Sequence, residues 1–194
     1  MDVVRILGST AHSEEDREET DFYATDPDSL THFLNRITLD NIHLNKHLWE
    51  NACGMGHLAE VLQERGHHVL CTDILDRGWS DALLDFTRIP TSLKFCGDII
   101  TNPPYKHATE FVEGSINSVH DGSLVVMYLR LQFVEGKKRR KLFDKYPPKY
   151  IYVHSERQQT YKSGLMNTKK SSAICFAWFI WQRGFSGDTT LRWI

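Results

Sequence analysis

The segment with the clearest chemical character is Asn102-Pro103-Pro104-Tyr105, which follows two isoleucines. Two prolines cannot continue a central strand, because proline has no N–H for the ladder, so the strand ends in a stiff corner. The corner suits a planar substrate with an NH2 group. The Asn102 side-chain oxygen and the Pro103 carbonyl can accept its hydrogens, and Tyr105 can stack on its ring. Taken alone, the same four residues also fit an ordinary strand exit followed by a turn.

A second segment reads as a strand, a glycine turn and the start of a helix, between His47 and Ala59. Gly54 and Gly56 allow the backbone to approach a ligand closely, although many strand-to-helix turns use glycine for steric reasons alone. The next strand ends at Asp73. An acid at this place in a βαβ unit can bind ribose hydroxyls, and it can equally cap the next segment.

Asp85 and Phe86 precede the strand of the Asn-Pro-Pro-Tyr corner. Together they could contact an adenine through a carboxylate and a ring, and a solvated turn with one core phenylalanine explains them equally well. The glycine turn, Asp73, this pair and the corner all follow the ends of predicted strands. Ligands of parallel sheets bind outside the carboxyl ends of the strands, so these signals favour one shared site.

Strand and helix patterns alternate along most of the chain, which predicts a parallel sheet covered by helices on both faces. Thr25 or Asp26 can cap a helix that begins at Pro27. Further helices are predicted over residues 108–119 and 135–146. Strands are predicted over residues 123–129, 149–154, 173–181 and 189–194, and the late strands suggest an antiparallel insertion at the sheet edge.

The length of 194 residues predicts one domain, with residues 1–20 as a flexible acidic tail and residues 21–194 as the folded unit. Four cysteines without CxxC spacing indicate buried thiols in a reducing compartment, and we expect a cytoplasmic protein without a membrane span. Residues 1–100 hold 8 Lys and Arg against 18 Asp and Glu, whereas residues 101–194 hold 15 against 7. This polarity favours a polyanionic partner, unless the two halves interleave and the fields cancel.

The chain resembles the S-adenosylmethionine-dependent amino-methyltransferases with an Asn-Pro-Pro-Tyr motif, and among these the small phage and prophage adenine-N6 DNA methyltransferases. The resemblance covers residues 21–181 and includes Asp-Phe-Tyr-Ala-Thr upstream of the first helix. It implies an α/β, Rossmann-like methyltransferase fold with a mostly parallel seven-stranded sheet, an antiparallel edge strand and helices on both faces. Two positions depart from the family, since Asn51 and Asp26 stand where proline is common.

The resemblance also implies roles for individual residues. The cofactor is S-adenosylmethionine, and no metal is implied. The residues that would bind and activate the target amine are Asn102, Pro103, Pro104 and Tyr105. Those that would contact the cofactor are Phe22, Tyr23, Thr25, Glu50, Ala52, Gly54, Gly56, Asp73, Asp85, Phe86 and Asn102.

The expected partner is DNA, whose flipped adenine would be methylated at N6. The chain lacks a separate target-recognition domain, so basic segments would grip phosphates and a protein partner is one source of specificity. The candidate contacts are Lys106, Lys137, Lys138, Arg139, Arg140, Arg157, Lys162, Lys169 and Lys170. These residues could instead form a solvated helix face and a loop. The alternatives are methylation of adenine in RNA, methylation of a protein glutamine, and a non-catalytic nucleic-acid-binding module.

Overall fold

The computed structural model describes residues 23–156, 160–162 and 174–194. The predicted tail over residues 1–20 lies outside the described residues, as do Phe22, Arg157, Lys169 and Lys170. The strands are β1 Tyr23–Thr25, β2 His47–Glu50, β3 His68–Asp73, β4 Ala82–Leu83, β5 Asp98–Thr101, β6 Leu124–Arg130, β7 Tyr150–Val153, β8 Thr160–Lys162, β9 Phe176–Gln182 and β10 Thr190–Trp193. The α-helices are α1 Pro27–Leu39, α2 His57–Glu64, α3 Ala108–Asn117 and α4 Lys137–Lys145.

Eight strands form the main sheet in the order β10-β7-β9-β6-β5-β2-β3-β4. Strands β2 to β6 all run parallel, as the alternation of strands and helices predicts. From β2 the chain builds outward through β3 to β4 and then returns to place β5 on the other side of β2. The boundary between β2 and β5 is therefore the topological switch point, where parallel sheets bind ligands.

Two details differ from the predicted sheet. The additional strand is β4, a two-residue strand beside the end of β3 that is too short to produce an alternating pattern. The antiparallel strand is β9, and it lies between β6 and β7, the third strand from the β10 edge. All but the last residue of β9 is buried, because both neighbouring strands cover its edges and helices cover its faces.

The two faces of the sheet carry separate halves of the core. Along β6, Val125 and Met127 point towards the face covered by α3 and α4. Val126 and Tyr128 point towards the face covered by α1 and α2. Both faces of β6 are therefore apolar, as expected for a central strand buried on both sides.

Helix α1 begins where its sequence predicts. The side chain of Asp26 accepts a hydrogen bond from the backbone N–H of Asp28 at 3.1 Å, and Pro27 occupies the first turn. Of the two predicted caps, Asp26 is therefore the one used. No helix in the part of the chain that the structure describes is long and apolar enough to span a bilayer.

Candidate functional site

A cavity of about 250 Å3 opens at the carboxyl ends of the parallel strands, across the switch point. The turn after β2 contributes Asn51, Ala52 and Cys53 to its wall, and the segment after β5 contributes residues 102–107. The proline corner and the glycine turn are therefore separated by open space rather than by packed side chains. This open space is what one site shared by the corner and the turn requires.

All four residues of the predicted amine-binding corner line the cavity. The Asn102 Nδ2 donates to Thr25 Oγ1 at 2.9 Å, which ties the corner to β1 and sets the orientation of the amide. The Arg130 guanidinium lies 4.5 Å from the centre of the Tyr105 ring. Since it covers one face of the ring, a stacked base would use the other face.

Asp73 lines the cavity at the end of β3, where the sequence predicts a ribose-binding acid. Its Oδ2 accepts from the Gly54 N–H at 2.8 Å, and its Oδ1 accepts from the Leu75 N–H at 3.0 Å. Arg77 forms an ion pair with the same Oδ1 at 3.2 Å. These contacts fix the carboxylate against the glycine turn, and a carboxylate retains acceptor capacity beyond three donors.

Asp85 and Phe86 also line the cavity, and both alternatives for this pair apply in part. The Asp85 carboxylate caps a short 3₁₀ helix by accepting from the Thr87 N–H at 3.0 Å and from the Thr87 hydroxyl at 2.6 Å. These hydrogen bonds hold the pKa of Asp85 below its usual range. The Phe86 ring packs edge-on against Trp49 with centroids 5.2 Å apart, so one side belongs to the core.

Among the predicted cofactor residues whose side chains the structure describes, Glu50, Gly54 and Gly56 do not line the cavity. Glu50 is buried beneath the turn, and its burial raises the pKa of the carboxyl group well above its usual range. The Gly54 N–H donates a hydrogen bond to the Asp73 carboxylate. Gly56 has φ +80°, and a Cβ at this position would lie 2.0 Å from Trp79 Cδ2. The two glycines and Glu50 thus shape the turn and do not form its ligand-facing surface.

The predicted substrate-contact residues that the structure describes fall into three places. Lys106 lines the cavity beside Tyr105. The four predicted contacts in α4 stand at its amino end, and the helix packs against α3; they are Lys137, Lys138, Arg139 and Arg140. Lys162 lies in β8, which pairs antiparallel with β1 so that Thr160 is opposite Thr25. The backbone of Tyr23 lies in β1, and its pairing partner is Lys162. The stretch around Lys162, one of the predicted phosphate contacts, therefore runs beside β1, the strand that holds Asn102.

Sequence reasoning did not identify several residues that line the cavity. Arg77 is one, and its spacing of four residues from Asp73 was the available signal. His57, at the first turn of α2, is another, and burial lowers its pKa. Ile74 directly follows Asp73 and is 59% exposed, which is unusual for isoleucine. The others are Asn51, Cys53, Leu58, Leu84, Thr87, His107 and Phe111.

Comparison with protein-family models and with curated proteins finds no match to this sequence. Solved structures share the fold. A Pyrococcus horikoshii protein, provisionally described as an RNA methyltransferase, has a TM-score of 0.61 at 14% identity over 86% of this chain and 88% of its own. A Listeria monocytogenes protein, provisionally described as a class I S-adenosylmethionine-dependent methyltransferase, has a TM-score of 0.62 at 12% identity over 93% of this chain and 68% of its own. An Agrobacterium tumefaciens protein, described as a predicted O-methyltransferase, has a TM-score of 0.56 at 12% identity over 76% of this chain and 78% of its own. The chain thus has the α/β Rossmann-like fold of S-adenosylmethionine-dependent methyltransferases.

Proposed function

We propose that this protein is an S-adenosylmethionine-dependent methyltransferase that methylates the exocyclic N6 amine of adenine in DNA. The observation that carries the proposal is the cavity at the switch point. It joins the Asn-Pro-Pro-Tyr corner to Asp73, Asp85 and the turn after β2. The corner has the groups to bind a planar amine, and the acids have the groups to bind a nucleoside. Both sets of groups face the same space.

The cavity wall fits the proposed cofactor in its donor and acceptor chemistry. Asp73 and Asp85 present carboxylates at the β3 and β4 side, where hydroxyl and amine donors of an adenosine can bind. The side chains of Ile74, Leu84 and Phe86 add an apolar surface for the base. When bound, S-adenosylmethionine supplies a methyl group on a sulfonium sulfur, which is an electrophile that a nitrogen lone pair can attack.

The corner would hold and activate the attacking nitrogen. The Asn102 amide oxygen and the Pro103 carbonyl accept the two amine hydrogens, which draws the nitrogen out of conjugation with the ring and makes its lone pair available. Thr25 holds the other end of the Asn102 amide, so the acceptor is positioned before substrate binds. Most of the rate enhancement would come from aligning the nitrogen with the methyl group. The nitrogen would gain the methyl group as the bond from the methyl carbon to the sulfonium sulfur breaks, which leaves a neutral thioether, and the nitrogen would release one proton to water.

A nucleic-acid substrate is supported by the position of the basic residues at the start of α4. Helix α4 begins with Lys137, Lys138, Arg139 and Arg140, and its first turn holds no acidic residue. Four cations at the positive end of a helix dipole repel one another and the dipole, and phosphate groups would relieve this repulsion. Arg140 is partly neutralised by Asp144 at 2.7 Å, which leaves three cations for phosphate contacts.

The activity test incubates the protein with S-adenosylmethionine and unmethylated DNA, unmethylated RNA or a glutamine-containing peptide, followed by mass spectrometry of the digested products. We expect N6-methyladenine from DNA. Asn102→Ala should abolish it while leaving calorimetric binding of the cofactor within about twofold of wild type. Asn35→Ala, an exposed asparagine in α1, is the matched control and should change neither. Product from RNA or peptide alone would overturn the DNA assignment, and equal loss of activity and binding in Asn102→Ala would overturn the assigned role.

The phosphate contacts are tested by titrating DNA at several salt concentrations. Removing Lys137 and Lys138 by alanine substitution should lower the magnitude of the slope of log affinity against log salt by up to about 1 per lost contact. Lys46→Ala, before β2 at the opposite end of the sheet, is the control for Lys137→Ala made alone, because each variant removes one positive charge. If both variants shift the slope equally, α4 does not contact the phosphates specifically.

A further inference from the structure

The Tyr105 ring contacts two side chains from adjacent strands of the main sheet. Arg130 ends β6, and Phe176 begins β9. The two residues are direct partners in the antiparallel register of β6 and β9, so their side chains point to the same face of the sheet. The Arg130 Cζ lies 4.5 Å from the centre of the Tyr105 ring, and the centre of the Phe176 ring lies 6.0 Å from it. Together these contacts limit the orientations open to the Tyr105 ring.

Phe176 connects this pair to the core of the protein. It is buried, and its ring stacks on the buried Tyr128 with centroids 5.1 Å apart and an angle of 13° between the planes. A substitution of Phe176 would therefore disturb the core as well as Tyr105. Arg130 is only half-buried, so it is the member of the pair that can be changed without removing a core side chain.

The positive charge of Arg130 lacks the partner that such a charge usually has. Its Nε is buried and has no hydrogen-bond partner among the residues that the structure describes. No carboxylate within the described ranges forms an ion pair with its guanidinium. Partial burial removes water from the charge, which costs free energy. The face of the Tyr105 ring offsets this cost, because an aromatic face attracts a cation.

We infer that Arg130 is a positioning residue for the target base: it holds the Tyr105 ring in the plane on which the adenine stacks. This inference rests on the proposed function. Tyr105 lines the cavity and Arg130 does not, so Arg130 acts on the substrate through the ring. The planar guanidinium covers the face of the ring that is turned away from the base. A ring that is held in place before the substrate binds loses less freedom when the base stacks on it.

The test compares Arg130→Met with wild type, since methionine keeps an unbranched side chain and removes the cation. We expect kcat/KM for the methylated nucleic acid, which should be DNA, to fall about 3- to 30-fold, as for loss of a partly desolvated cation–π contact. Calorimetric affinity for S-adenosylhomocysteine should stay within about twofold of wild type, because Arg130 is not part of the cavity wall. Arg130→Lys keeps the cation and should lose less kcat/KM than Arg130→Met does. Equal losses in the two variants would contradict a role for the charge.

Two measurements separate positioning through Tyr105 from a direct contact between Arg130 and a phosphate. In a Tyr105→Leu background, Arg130→Met should change kcat/KM by less than about twofold, because the ring is absent. The slope of log DNA affinity against log salt should be the same for Arg130→Met and wild type, whereas a lost phosphate contact would lower its magnitude by about 1. A lower slope, or a full effect of Arg130→Met without the ring, overturns the inference. If Tyr105→Leu turns over too slowly to measure, the salt slope decides.

Arg192→Met is the matched control, with folding of every variant checked by circular dichroism. The Arg192 Cζ lies 5.1 Å from the centre of the Tyr150 ring, and Arg192 belongs to β10 at the edge of the sheet. This variant should leave kcat/KM within about twofold of wild type. If Arg130→Met does not fold, Arg130→Gln replaces it.

Two results of this comparison would overturn the inference while the proposed function stands. In the first, wild type methylates DNA and Arg130→Met keeps kcat/KM within about twofold. In the second, Arg130→Met loses kcat/KM and cofactor affinity by the same factor, which would make Arg130 a purely structural residue. If wild type methylates no nucleic acid, the proposed function and the inference both fail.

Discussion

Gly56 provides the most direct quantitative test of how the cofactor turn is built. Its φ is +80°, and a Cβ would lie 2.0 to 2.5 Å from three atoms of the Trp79 ring. Gly56→Ala therefore has two costs. The left-handed backbone costs about 1–2 kcal/mol for a residue with a Cβ, and the collision with Trp79 adds about 1–3 kcal/mol. We expect the free energy of unfolding to fall by about 2–5 kcal/mol.

Gly78 is a matched control for the backbone component. Its φ is +88°, and a Cβ at this position meets no atom within 4 Å. Gly78→Ala should therefore cost only about 1–2 kcal/mol in urea unfolding. The difference between the two variants measures the packing of Trp79 on the turn.

A double-mutant cycle separates the two costs at Gly56 itself. In a Trp79→Ala background the collision is absent, so Gly56→Ala should cost no more than Gly78→Ala does. If Gly56→Ala is equally destabilising with and without Trp79, the ring does not pack on the turn as described, and the reasoning is refuted.

Three further outcomes follow from the structure. Burial raises the pKa of Glu50, so the folded protein keeps a proton that the unfolded chain releases above pH ~4.3. Relative to wild type, Glu50→Gln should therefore gain stability as pH rises from 5 to 8, by up to ~1.4 kcal/mol per pH unit. Parallel curves of unfolding free energy against pH for the two proteins would contradict this. Burial tends to raise the pKa of Asp40, but hydrogen bonds from Tyr152 and two arginines lower it to about 2; the stability it provides is therefore present above its unfolded pKa near 4 and lost as pH falls to 2, and Asp40→Asn should flatten this acid limb in chemical unfolding. Thr25→Val removes the hydroxyl that orients Asn102 and should lower kcat at least tenfold with KM for the cofactor little changed, whereas an equal change in both constants would assign Thr25 to cofactor binding.

Local signals were sufficient for the parts of the fold that depend on neighbouring residues. The Asp26–Pro27 cap, the glycine turn before α2 and the strand that ends just before Asn102 all follow from preferences that act over a few residues. The predicted helices over residues 108–119 and 135–146 agree with α3 and α4 to within two residues at each end. The alternation of strand and helix then restricted the fold to a parallel sheet with helices on both faces.

The contacts that define the site depend on residues far apart in the chain. Pairing of β1 with β8 joins residues about 135 positions apart, and β9 lies between β6 and β7 although it follows both in the chain. Neither arrangement leaves a periodic pattern in the sequence. The four-residue spacing of Arg77 and Asp73 is visible in the sequence. The place of this ion pair in the site, however, depends on the hydrogen bond that the Gly54 N–H donates to Asp73.

The sequence by itself determined the chemical groups and the strand ends to which they are attached. The Asn-Pro-Pro-Tyr corner, Asp73 and the Asp85–Phe86 pair each follow a strand, and this order is fixed by local backbone preferences. The tertiary structure alone decided which of these groups face the cavity, because burial depends on neighbours brought in from distant elements. Glu50 was thereby placed beneath the turn, and Asn51 was placed in the wall of the cavity. The physical reason is that side-chain type is a local property, whereas solvation is a property of the whole packed chain.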